Sequence, residues 1–200
     1  MAAGAVLAAV LLCGCGAGAS AAFPQPHYHG SPVPSASADP VYPEPSEVTA
    51  PPFNPPPIVV GLEMENALSN QTGRDVPMTP HCVKALKLSR KHTVVRCYAR
   101  WGGVAVPFKV TLTKDYGSYY TASSVQLEGL LVASAVRTAW AQFNYATGDR
   151  LSCASDLPRA KLVPFGKPTK YLCSDGSQLE SVQLNRAGFG SSPFSFSVVP

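Results

Sequence analysis

No lysine or arginine occurs in the first 73 residues of this 200-residue chain. That absence excludes a basic N-terminal arm of the kind that grips nucleic acid. Charge is scarce throughout: charged residues make up 14% and the net charge is +4. No nucleic-acid partner is expected at that density. The chain also contains no His-Glu-x-x-His, no Gly-x-Ser-x-Gly and no phosphate-cradling Gly-rich loop. The usual signatures of zinc peptidases, serine hydrolases and nucleotide-binding enzymes are therefore missing. Outside the Pro-rich stretch the only histidines are His81 and His92, and Asp75 and Asp115 are isolated acids in turn-like surroundings. These residues supply no catalytic set, metal site or cofactor site, and no enzyme activity is expected.

Proline, by contrast, is abundant. Twelve of the 20 prolines lie between Pro24 and Pro57. They divide the chain into an Ala/Gly/Leu start, a Pro-rich stretch and a mixed remainder. The start, MAAGAVLAAVLL at Met1 to Leu12, is too short to span a bilayer, which takes about 20 apolar residues. It fits the apolar core of a secretory signal. The following Leu12-Cys13-Gly14-Cys15 resembles the bacterial lipobox, with a leucine three residues before a cysteine and a small residue next to it. The resemblance implies diacylglyceryl transfer to the Cys15 thiol, cleavage just before it and anchoring on the outer face of the membrane. Cys13 follows Leu12, which is not small, and would leave with the signal at residues 1–14. An unlipidated, secreted protein is the alternative. Residues 15–57 should form a tether, extended and partly polyproline-II, because proline fixes φ and removes a backbone donor. About 40 residues at about 3.1 Å each would reach roughly 100 Å. His27-Tyr28-His29 has no further ligand nearby and does not make a metal site.

The remainder reads as an α+β fold in two tandem modules, 58–124 and 125–200, each a helix on a small antiparallel sheet with one disulfide. Val60, Met64, Ala67 and Leu68 recur at helical spacing between Pro57 and a capping Gly73. Thr93 to Trp101 is β-rich. Gly102-Gly103 marks a turn, and Val104, Val106, Phe108, Val110 and Leu112 alternate along the next strand. Pro107 suggests an edge or a bulge. A second helix is expected over Val125 to Ala146, from Leu127, Leu131, Ala135, Ala139 and Phe143, with Ser123 and Gln126 as a capping box. Asp175-Gly176 marks a hairpin. Strands should follow at Leu179 to Leu184 and Pro193 to Val199. The order helix, Thr-Gly, cysteine, strand cysteine, turn and strand occurs twice, which suggests internal duplication.

Apart from Cys13 and Cys15 there are four cysteines, an even number in an exported chain, which argues for disulfides. Three pairings are possible. The duplication favours Cys82–Cys97 and Cys153–Cys173. A four-cysteine zinc site would want close CxxC-type pairs, and there are none. A catalytic Cys82 beside His81 would need a free thiol.

Thr147-Gly148, Cys153, Asp156-Leu157-Pro158 and Cys173 resemble a small domain of actinobacterial envelope proteins, the domain-of-unknown-function family numbered 4333. Thr72-Gly73, Cys82, Cys97 and Val104 to Thr113 form a weaker copy, with Val83-Lys84-Ala85-Leu86 where Asp-Leu-Pro would stand. The resemblance implies an α+β fold, a disulfide and an envelope location, and no catalytic residue.

Basic residues gather in the first module. From Ile58 to Ser124 there are nine against four acids. Lys84, Lys87, Arg90 and Lys91 lie between the first two cysteines. Arg96, Tyr98 and Arg100 alternate on a strand face opposite Val95, Cys97 and Ala99. If exposed, that face suits an anionic envelope component or an acidic envelope protein; otherwise it is a solvated sheet face. The expectation is a non-catalytic binding or scaffolding protein of the cell envelope. A secreted enzyme inhibitor and a small-ligand or lipid carrier are the alternatives. The sequence sets no oligomeric state.

Overall fold

The computed structural model of the protein describes residues 28–34, 54–74, 77–87, 92–114, 120–144, 150–186 and 192–199. The expected lipidation site Cys15, the signal, most of the tether, Arg90, Lys91 and Thr147-Gly148 lie outside these residues. Among the described residues no helix is long and apolar enough to cross a membrane.

The first helix, α1, spans Pro56–Thr72. Its prolines occupy the first turn, where a missing N–H costs nothing. Gly73 ends it at φ 66°, and its N–H donates to the Ser69 carbonyl at 2.8 Å. Val60, Met64 and Leu68 are fully buried along one face, the stripe expected from their spacing. Gly61 is also needed, because a Cβ there would stand 2.6 Å from the Met78 carbonyl oxygen of the segment crossing the helix.

The sheet under α1 has the order β2-β3-β4-β5, all antiparallel: His81–Cys82, His92–Trp101, Val104–Lys114 and Tyr120–Gln126. Gly102 and Gly103 make the β3–β4 turn at φ 54° and 84°, positive angles that favour glycine and suit the hairpin twist. Val106, Phe108, Val110 and Leu112 point into the core. Pro107 is tolerated between two neighbours because the β5 ladder begins only at Phe108.

Val125 to Leu131 is not helical. Ser123 and Gln126 belong to β5, so the expected capping box does not exist, and a boundary at residue 125 would cut that strand. Gly129–Leu131 is a short strand, β6, and the second helix, α2, covers only Ala133–Phe143. Leu127 and Leu131 match helical spacing, but non-local pairing overrides it: Val125 lies opposite Lys109, and Leu130 opposite Leu162 of β8 (Lys161–Val163). A Cβ on Gly129 would come within 2.1 Å of Leu184 Cδ2, so β6 lies hard against the core.

The second large sheet has the order β1-β7-β9-β10-β11: Gly30–Pro32, Ser152–Ala154, Pro168–Ser174, Leu179–Leu184 and Phe194–Val198. The β9–β10 turn holds Asp175-Gly176 as expected. Asp175 Oδ1 accepts from the Ser177 and Gln178 amides, and these bonds lower its carboxyl below the usual range. β1 lies within the stretch expected to be tether. It pairs with β7, and its one-sided edge position accommodates Pro32. β1 and the start of α1 at Pro56 are thus regular structure inside the 15–57 stretch expected to be tether. Trp140 of α2 is fully buried, with its ring 4.7 Å from Phe196 and its Nε1 donating to the Ser174 carbonyl at 3.2 Å.

The result is a small, mainly antiparallel α+β fold with two helices and two disulfides. Cys82–Cys97 and Cys153–Cys173 are bonded, each pair directly opposite in its ladder. One contiguous core runs through both halves. Gln71 of α1 and Gln126 of β5 pair in buried ground, and the N–H of Leu130 on β6, the strand that pairs with β8, reaches them there. Each amide nitrogen donates to the other's oxygen, at 2.8 and 3.0 Å, and Gln71 Oε1 also accepts from the Leu130 N–H at 2.7 Å.

Candidate functional site

Strand alternation puts Val95, Cys97 and Ala99 in the core and turns Val94, Arg96, Tyr98 and Arg100 outward. Arg96 and Arg100 are exposed and Tyr98 is half-buried between them. The structure thus brings the three sequence-predicted residues to one open face. It adds Lys109, exposed on β4 directly opposite Arg96, and His81, opposite Tyr98 on β2. Lys109 was missed, although the alternation that buries Phe108 already turns it outward.

No Asp or Glu occurs in any of the four strands. An ion pair, Lys170–Asp156 at 3.6 Å, lies at the other sheet. Arg96 and Lys109 are therefore like charges facing one another across a ladder, an arrangement that weakens a sheet unless an anion intervenes. Val94 and Val125, 50% and 44% exposed, add apolar ground to the same face, and Lys84 and Lys87 are exposed on the β2–β3 connection.

The acids lie elsewhere. Glu63 on α1 is half-buried beside Ser124, and its Oε2 has no hydrogen-bond partner. Burial pushes its carboxyl above the usual range, and Ser124 offsets only part of this. Burial and the nearby Glu63 also raise the Tyr120 hydroxyl, which donates to the Asn54 carbonyl at 2.7 Å. Cys82 is spent in its disulfide, so the pair with His81 offers no thiolate. Tyr28 donates to Ser152 Oγ at 2.8 Å, and the His29 carbonyl accepts from the Ser155 N–H. Among the described residues no group of three His, Cys, Asp or Glu side chains is placed to hold a metal ion.

No family model, curated protein or solved structure matches the chain.

Proposed function

We propose that the protein is an exported cell-envelope lipoprotein, anchored through Cys15, that binds an anionic envelope component non-catalytically on the outer face of β2–β5. The observation that supports this most is Arg96 facing Lys109 on a sheet whose strands contain no acid. A polyanion laid across the face would relieve that repulsion, with Tyr98 giving a flat aromatic contact between the cations. Two disulfides fit the oxidising side of a membrane.

The same reading treats the fold as two related modules. α1 is followed by β2, β3, β4 and β5, and α2 by β7, β9, β10 and β11 of the second sheet, with β8, the partner of β6, inserted after β7. In each run the disulfide joins the first two strands. The resemblance to the family numbered 4333 belongs to this proposal.

The anchor is tested by the intact mass of protein taken from native membranes. A chain starting at Cys15 with a diacylglyceryl group is expected, and an unmodified start elsewhere refutes the anchor. The surface is tested by sedimentation with phosphatidylglycerol vesicles, and with purified cell wall, across a salt series. Binding should fall as salt rises and should be lost in Arg96→Gln with Arg100→Gln. Undiminished binding by that variant refutes the surface. Inhibition of an envelope enzyme is the second reading, favoured by Tyr98 between two arginines, residue types that dominate protein interfaces. It predicts that Tyr98→Ala abolishes inhibition.

A further inference from the structure

A cavity of about 620 Å³ opens where the two halves of the chain meet. Three arginines line it, from three distant parts of the sequence. Arg74 lies just past α1, Arg137 on α2, and Arg159 between β7 and β8. Trp101, at the end of β3, gives an aromatic wall. No Asp or Glu is among the described residues of the lining. Among the described residues none of the three guanidiniums has an ion pair, and Arg137 Nε is buried with no hydrogen-bond partner. Three like charges around one cavity repel one another, and a buried donor without an acceptor is costly. Both conditions are relieved by an oxyanion that several guanidinium forks grip at once.

The backbone points the same way. α2 starts without a side-chain cap, and its first residues, Ala133 and Ser134, line the cavity, so the positive end of an 11-residue helix opens onto it. The Pro158 carbonyl accepts from the Ala133 N–H at 3.2 Å and holds this helix end in place. A phosphomonoester carries about −1.5 to −2 charges, a better match to three cations than a single carboxylate.

Arg74 and Ser134 also line an adjoining cleft of about 210 Å³. Its other polar side chains include Asn70, Thr138, Gln142 and Ser192, all uncharged. Amides and hydroxyls of this kind suit the hydroxyl groups of a polyol.

We propose that this junction binds a phosphorylated sugar or polyol, with its phosphoryl group among Arg74, Arg137 and Arg159 and its hydroxyls in the adjoining cleft. The site is separate from the Arg96–Lys109 face and stands whether or not that face binds anything.

The test is calorimetric titration of the full-length protein with glucose 1-phosphate, inorganic phosphate and glucose. A second arm uses vesicles containing phosphatidylinositol 4-phosphate, which carries the same chemistry on a lipid. Saturable binding to glucose 1-phosphate or to the vesicles is expected, and the arm that binds identifies a soluble or a lipid-borne source. Arg137→Gln and Arg159→Gln should each weaken it at least about tenfold. Arg159 is exposed, so its variant reads the site without threatening the core. Thr138→Val should weaken glucose 1-phosphate and leave inorganic phosphate unchanged. Binding to neither probe, or undiminished binding by both arginine variants, overturns the site. Equal affinity for inorganic phosphate and glucose 1-phosphate overturns the polyol half, and equal affinity for glucose overturns the phosphoryl half.

Discussion

Replacing Gln71 by leucine tests how far the two halves are joined by its bond to Leu130 of β6, the strand that pairs with β8. Gln71 is 5% exposed and Gln126 is 6% exposed, so water does not substitute for their bonds. In Gln71→Leu the Leu130 N–H loses its 2.7 Å acceptor, and Gln126 Oε1 loses its 2.8 Å donor. Each buried group left unpaired costs about 1–3 kcal/mol, so the variant should lose about 2–6 kcal/mol. Gln126→Leu is milder, because Gln71 keeps the Leu130 N–H and its own bond to the Ala67 carbonyl at 3.1 Å. The main group it strands is the Glu128 carbonyl, at about 1–2 kcal/mol. The double variant leaves no orphaned side-chain amide, so its cost should fall about 1–2 kcal/mol below the sum of the singles. Urea unfolding with disulfides intact measures all three, and each should keep a single transition of unchanged slope. A loss under about 0.5 kcal/mol in Gln71→Leu, or additive singles, would refute the reasoning. Two separated transitions in the parent would show that the junction does not couple the halves.

Other perturbations are read in the same way. Removing either disulfide as a double alanine variant should cost about 3 kcal/mol, because the bonds close separations of 15 and 20 residues; an unchanged urea midpoint would refute this. Glu63 has a raised folded-state pKa, so its burial penalty is absent below the ordinary value of 4.5 and grows as pH rises towards the folded value. Stability should therefore decline with pH through that window, and Glu63→Gln should flatten the slope. Asp175 has the opposite sign: its contribution is present above the ordinary value of 3.8 and is lost as pH falls, so Asp175→Ala should weaken the β9–β10 turn at neutral pH and much less in acid. Gly129→Ala should overpack against Leu184 and cost about 1–3 kcal/mol, seen as a lower urea midpoint.

What could be read ahead of the structure was local. The helix at Val60, Met64 and Leu68, the hairpin at Gly102-Gly103, and the alternation from Val104 to Leu112 each carry their signal within one turn or one strand. The outward phase of Arg96, Tyr98 and Arg100 follows from that alternation. What was misread depended on distant partners. Val125 to Leu131 carries leucines four apart, and only pairing with Lys109 and Leu162 makes it strand. Gly30–Pro32 is held by backbone pairing, which leaves no side-chain pattern to detect. The arginine cavity gathers residues 74, 137 and 159, and no window of sequence contains all three.

The pairing of β1 with β7 sets how far the protein would extend from a membrane if Cys15 carries the proposed lipid. Mooring begins at Tyr28, whose hydroxyl bonds to Ser152, and a lipid on Cys15 would leave 12 residues, or 13 Cα–Cα steps, between the two points. Fully stretched, that span measures at most about 45 Å. The second sheet would ride close to the headgroups, held by its outermost strand like a boat on a short line. The first sheet, on the other side of the junction, would then be the part free to meet whatever lies further out.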